Sequence, residues 1–281
     1  DATGTLTQTA FGVDVMVIDT DADITGLPTP GTLTAGWYVV TGNFTHAGTI
    51  TVTGNVNLIL ADGGSLTING STNNAGINVT GSNSLTIYAQ SAGAAMGSLT
   101  ATGGSMGAGI GGGDGGEGDS ITITGSANVT AIGGSSNSAG GGAGIGSGGS
   151  LTTAPISAGS ITIAIDAAGT LAATGGAGTT FVYGGGANIG QGGHAGGDGV
   201  ALTLYTVTAT AGANGSISPF GTYQTAGTSS MFTITPGSGY AIASVTDNGT
   251  DVTGLLAGNT HVHRGQHRGQ PRHRGDVWIE G

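Results

Sequence analysis

Apolar and polar residues alternate in short runs along this chain. In Ser120-Ile-Thr-Ile-Thr the isoleucines fall on one side and the threonines on the other, the period of a strand with one buried face. Thr49-Ile-Thr-Val-Thr, Ser65-Leu-Thr-Ile and Ser84-Leu-Thr-Ile-Tyr repeat the alternation, and Trp37-Tyr-Val-Val, Val56-Asn-Leu-Ile-Leu and Gly76-Ile-Asn-Val read as further strands. Turns of Gly, Asn, Asp and Ser separate them. No helical period is visible anywhere.

Between Leu99 and Gly199 one pattern recurs three times. Leu99-Thr-Ala-Thr-Gly-Gly, Val129-Thr-Ala-Ile-Gly-Gly and Leu171-Ala-Ala-Thr-Gly-Gly open the copies. Gly107-Ala-Gly-Ile-Gly-Gly-Gly, Gly142-Ala-Gly-Ile-Gly-Ser-Gly and Gly186-Ala-Asn-Ile-Gly-Gln-Gly follow, then Ser120-Ile-Thr-Ile-Thr, Ser160-Ile-Thr-Ile and Leu202-Thr-Leu. Repetition at this scale predicts a solenoid, with equivalent Leu and Ile stacked inward and threonine outward. A segment such as Gly107-Ala-Gly-Ile-Gly has almost no side-chain volume, so its backbone can approach another layer and one isoleucine per pass plugs the core. A sandwich needs several bulky inward residues per strand to fill a spacing of ~10 Å. The fold class expected is therefore all-β: a right-handed parallel β-helix with a small C-terminal β module. At ~4.8 Å per rung, residues 31 to 204 would form a rod on the order of 35 Å long if wound in roughly seven or eight coils.

Composition sharpens this picture. The 281 residues include 62 glycines, 37% hydrophobic and only 7% charged residues, with a net charge of −11. Glycine loses the most entropy on folding, yet apolar positions held in register weigh against a disordered linker. Lysine is absent, and Arg264, Arg268, Arg272 and Arg274 all fall within the last 21 positions. Residues 1 to 260 carry thirteen carboxylates and no Lys or Arg, a surface that repels nucleic acid and anionic lipid. It offers trypsin no cleavage site. Cysteine is absent too, which removes disulfide and thiol chemistry. No apolar run long enough to insert in a membrane is visible. The start at Asp1 fits a processed secreted protein or a trimmed chain.

Residues 1–30 differ from the rest. Val13, Val15 and Val17 share one face of a strand that either caps the repeat region or leaves to complete a neighbouring subunit's sheet. Asp19, Asp21 and Asp23 alternate as at the front of a calcium loop, although the later glycine and closing glutamate are missing. A solvated turn ahead of Pro28 and Pro30 is the preferred reading, with calcium as the alternative.

The series LTATGG, GAGIGGG and GSITI, preceded by VNLILADGGSLTI and LTIYAQS, resembles the glycine-rich β-helical repeats of large secreted and surface proteins of Gram-positive bacteria. That resemblance covers residues 31 to 204 and implies an adhesin-like or carbohydrate-binding-like role. From Leu204, the series YTVTA, GANGSISP, FTITP and GYAIASV resembles the divergent InlB B-type repeat, which implies a small β spacer on a bacterial surface. The resulting division is 1–30 as strand or cap, 31–203 as repeat region, 204–260 as β module and 261–281 as tail. The tail lacks the family's closing strand. Codons permitted for His261 to Gly281, read one nucleotide later, can spell TYTEVNTAANHDIEVTFG and a stop. The tail therefore reads as the product of a frameshift, and His261, His263 and the four arginines then carry no metal or nucleic-acid role. The gene's nucleotide sequence tests this directly.

Catalytic chemistry finds little support. Glu117 is the only glutamate before the tail, where a glycosidase needs paired carboxylates. The arginine or lysine base of β-helical pectate lyases is missing, and His46 and His194 lack a nucleophile motif, so solvated histidines are expected. Asp114, Glu117 and Asp119 suit a solvated corner better than a calcium nonapeptide. The pairs Thr51/Thr53, Thr100/Thr102 and Thr122/Thr124 could face ice, but Ala172 and Ala173 break the array. Tyr38, Tyr88 and Tyr183, with Trp37, are candidate glycan-binding aromatics, Trp37 and Tyr38 doubling as core candidates. The function expected is that of a non-enzymatic extracellular structural protein, a stalk, adhesin or self-assembling fibre subunit. A carbohydrate-binding module is the alternative. No cofactor is expected beyond calcium, and partners would be further copies of the chain or glycans.

Overall fold

A computed structural model describes residues 14–92, 95–165, 168–179, 182–218, 221–226, 230–247, 249–255, 261–264 and 275–280. These fall into two compact units, one within Asp1–Ile161 and Ala167–Leu202, the other within Thr162–Asp166 and Thr203–Gly281. The chain is all-β, and parallel strands in curled sheets make up the first unit.

The first unit opens with β1 (Val15–Ile18), α1 (Asp21–Thr25), β2 (Thr32–Val40), β3 (Asn43–Ala47) and β4 (Ile50–Leu60). Then come β5 (Ser65–Asn69), β6 (Ile77–Asn78), β7 (Ser84–Ala89), β8 (Ser98–Thr102), β9 (Ile110–Gly111) and β10 (Ser120–Gly125). The series ends with β11 (Asn128–Ile132), β12 (Ile145–Gly146), β13 (Ile161–Ile165), which beyond Ile161 belongs to the second unit, β14 (Thr170–Thr174) and β15 (Ile189–Gly190). Among the described residues the strands of this unit pair with one another in parallel. One ladder runs β1–β2–β4–β7–β10. A second runs β3–β5–β8–β11–β14. The front of β4 begins a third, through β6, β9, β12 and β15.

Register explains why the repeats look alike. Leu66, Leu99, Val129 and Leu171 are successive partners in the second ladder. Ile50, Ile77, Ile110, Ile145 and Ile189 are partners in the third. Leu85 faces Ile121, and Ile87 faces Ile123, in the first. Apart from the half-buried Leu171 and Ile189 at the far end, these side chains are buried. Outward threonines follow suit, with Thr67, Thr100 and Thr130 in one row that Ala172 ends. Each inward residue thus packs mainly on its equivalents above and below. The five strands of the second ladder span about 19 Å at 4.8 Å spacing. That is shorter than the rod expected, because the partners Asn55 and Ser84 are 29 residues apart and Asn128 and Thr170 are 42 apart.

Glycine brings the layers together. A Cβ on Gly111 (φ 136°) would strike the carbonyl oxygen of Gly146, and one on Gly146 (φ 134°) would strike that of Gly190. Gly142 and Gly186 meet the carbonyls of Gly107 and Gly142 in the same way. Any side chain at these positions would drive backbones apart.

Near its start the structure departs from the expected turn. Asp19 to Asp23 opens α1, because the Asp23 carboxylate accepts the Thr20 N–H at 2.8 Å, the Asp19 N–H at 2.9 Å and the Thr20 hydroxyl at 3.1 Å. A helix of five residues is too short to leave a period in the sequence.

The second unit is built from β16 (Leu204–Ala209), β17 (Gly215–Ser218), β18 (Gly221–Ala226), β19 (Ser230–Pro236), β20 (Ser244–Asp247), β21 (Thr250–Asp251), β22 (His261–Arg264) and β23 (Gly275–Glu280). Its pairing is mostly antiparallel: β16 with β18, β17 with β19, β19 with β22, β20 with β21 and with β23. Thr162 and Ile163 join the outer edge of β18, and β23 lies parallel to β16. Ala164, Ala209, Ile217, Ile234 and Val245 form its core. Both described parts of the tail, β22 and β23, are therefore strands of this unit.

Candidate functional site

Alternation places residues of the first ladder on two faces. Inward lie Tyr38, Leu58, Ile87 and Ile123 in one row. Outward, Val15, Trp37, Asn57, Thr86 and Thr122 are successive partners. So are Val17, Val39, Ile59 and Tyr88. At the β1 end these two outward rows are apolar and aromatic, and the first ends in Thr86 and Thr122. Val15, Val17, Trp37, Val39, Ile59 and Tyr88 are all half-buried, with faces open to solvent. Trp37 and Tyr88 reach toward each other above β4, their ring centroids 5.4 Å apart and their planes at 28°. The Tyr88 hydroxyl stands 3.4 Å from Asn57 Oδ1. No member of either row is charged. Beside them Ser84 donates to Asn55 Oδ1 at 2.9 Å.

The three tyrosines therefore sit in different surroundings. Tyr38 is only 6% exposed, and its hydroxyl donates to the Thr34 carbonyl at 2.9 Å and accepts the Thr34 N–H at 3.1 Å. It is a core residue that bridges the bulge between Thr34 and Gly36. Tyr183 is half-buried and forms an isolated bridge with Ala195, far along the chain from the aromatic pair. Tyr88 alone joins Trp37 on the open face.

The carboxylates at the start of the unit have separate partners. Asp19 Oδ1 accepts the Thr41 hydroxyl at 3.1 Å, Asp23 caps α1, and Asp21 Oδ1 lies 2.6 Å from His46 Nδ1. Burial pushes the Asp23 carboxyl up, but hydrogen bonds from the Thr20 and Asp19 backbone and the Thr20 hydroxyl together hold it below its usual value. Among the described residues no three His, Cys, Asp or Glu side chains converge as a metal site. Asp114 and Glu117 are exposed, while Asp119 is turned to accept the Asn83 N–H at 3.0 Å.

His46 corrects the expectation of a solvated ring. It is 5% exposed, because its register partner is Ile68, whose own partner Ala101 continues the inward column. As the first member of that column it faces α1 rather than another rung, which lets Asp21 reach it. The contact fastens α1 to β3. His194 is half-buried, with its backbone paired to Gly197.

Of the N-terminal valines, Val15 and Val17 pair in parallel with Trp37 and Val39 of the same chain. Val13 lies outside the described residues. Val39 and Ile59 complete this outward face, which alternation alone does not single out. The signal was there: Trp37-Tyr-Val-Val and Leu58-Ile-Leu are apolar at both parities, where a half-buried strand should alternate.

Among the described residues no helix is long and apolar enough to cross a membrane. Comparison with curated proteins and with solved structures finds no match. Residues 205–262 match the family of the divergent InlB B-repeat domain, a module of bacterial surface proteins, and this match covers most of the second unit.

Proposed function

We propose that this chain is a non-enzymatic structural protein of a bacterial surface. In this reading residues 31–203 wind as a right-handed parallel β-helix that acts as a stalk, and residues 204–260 serve as its spacer module. Secretion follows from that role. The observation that carries the reading is register: residues equivalent in the repeats are direct partners in two separate parallel ladders. Such stacking converts a glycine-rich chain, poor in bulky residues, into a stiff element. The InlB B-repeat match supports a place on the cell surface. The carboxylate-rich, base-free body leaves nucleic acid and anionic membranes as poor partners.

Small-angle scattering and negative-stain imaging of the full chain test the stalk. An elongated particle is expected, and a compact sphere would overturn it. Light scattering over a hundredfold range of concentration separates stalk from fibre subunit. Growing mass with concentration is expected of a fibre, and constant monomer mass would remove that role while leaving the stalk.

A further inference from the structure

We propose that the outward face shared by β2, β4 and β7 is a binding platform for a neutral polysaccharide, with Trp37 and Tyr88 as its stacking surface. The two rings stack on each other, 5.4 Å between centroids with planes at 28°, and make one aromatic cluster on a face whose other members are valine, isoleucine, asparagine and threonine. A pyranose ring presents a matching surface: an apolar face of C–H bonds rimmed by hydroxyls. Asn57 Oδ1 stands 3.4 Å from the Tyr88 hydroxyl, and Thr86 follows Asn57 in the same row, so neutral donors and acceptors border the aromatic pair. This is the make-up of a small-molecule site, with apolar contact for affinity and a few polar groups for orientation.

Size argues against a protein occupant. The apolar part of the face spans four strands and two outward rows, about 14 Å by 7 Å. That footprint, on the order of 100 Å², is far below the ~800 Å² per partner of a stable protein interface. It suits a few consecutive sugar rings lying across the strands. Charge argues for a neutral sugar: neither row carries a charged side chain, and a chain of net charge −11 repels uronates and sulfated glycans.

Trp37 also supplies the readout. The chain has two tryptophans, so Trp278→Phe leaves Trp37 as the sole tryptophan, excited apart from the tyrosines at the red edge. The full chain with that change is titrated with β-1,4-linked hexaoses of glucose, mannose and N-acetylglucosamine, and with hexagalacturonate. Saturable change in Trp37 emission is expected with at least one neutral hexaose and none with hexagalacturonate. Calorimetry on the otherwise unchanged chain should then give about 10-fold weaker binding for Trp37→Ala and for Tyr88→Ala. Tyr88→Phe, which keeps the ring, should stay within about 3-fold. Unchanged emission with every neutral hexaose up to about 10 mM would overturn the proposal. So would binding that survives both alanine substitutions. Trp37 shielded from acrylamide in the free chain would mean that another part of the chain covers the face. A Trp37-dependent dimer indifferent to sugar would assign the face to a second copy. Both results count against the platform, and neither touches the stalk.

Discussion

In the first unit a Cβ on Gly111, Gly142 or Gly146 would run into the carbonyl oxygen of another layer, whereas Gly239 and Gly249 in the second unit face open space. The first set is required by packing, the second by a left-handed backbone at a turn (φ 82° and 77°). Core construction differs in the same way. The first unit stacks like on like, Ile110 between Ile77 and Ile145. The second gathers Ala164, Ala209, Ile217, Ile234 and Val245, one from each of five strands. In a stacked column an error is felt by the rungs on either side; in a small mixed core it is felt by everything at once.

The severest way to break this comparison is Gly146→Val. It combines a forbidden φ with backbone overlap, and a loss of about 4 kcal/mol or outright misfolding of the first unit is expected in urea denaturation. The InlB-like unit should retain its own transition. Next comes Ile145→Ala in the middle of a column, expected to destabilise by about 3 kcal/mol. Ile189→Ala at the half-buried end of that column should lose about half as much. Equal losses would mean that the column does not act rung by rung. Gly249→Ala is milder. With no clash it carries only the strain of a left-handed residue, about 1 kcal/mol, and calorimetry should place the effect in the second unit.

The smallest effect is on acidification, and both units share it. Hydrogen bonds from Thr20 and Asp19 outweigh burial at Asp23, and those from the Thr253 hydroxyl and N–H lower Asp251. A carboxyl held below its unfolded value stabilises the fold above that value, and the contribution disappears as pH falls through the folded one. For both residues the loss therefore lies below about pH 3.8. Protection factors of the amides across α1 and around Thr253, corrected for the intrinsic pH dependence of exchange, should fall there and stay level between pH 5 and about pH 7. A step above pH 5 would point to a different group.

How far the sequence was readable follows from which forces leave a repeating trace. Leu99, Val129 and Leu171 were recognisable as equivalents, and they are register partners, because stacking demands the same residue type at the same place in each copy. The glycines between them were readable as close-approach points for the same reason. Features that occur once left no such trace. Helix α1 depends on one threonine and one aspartate. The inward placement of His46 shows only when β3 is aligned on Ser65-Leu-Thr-Ile, where it matches Ile68. The pairing of Trp37 with Tyr88 crosses β4 and needs the register of three strands, which no local pattern contains.

Because each rung offers the next the same isoleucine and the same row of glycine carbonyls, the ladder has no intrinsic length. Duplicating one repeat in the gene would insert a strand into each ladder without disturbing what lies at either end. Reach could then change in increments of about 4.8 Å by recombination alone, with no new packing to be invented.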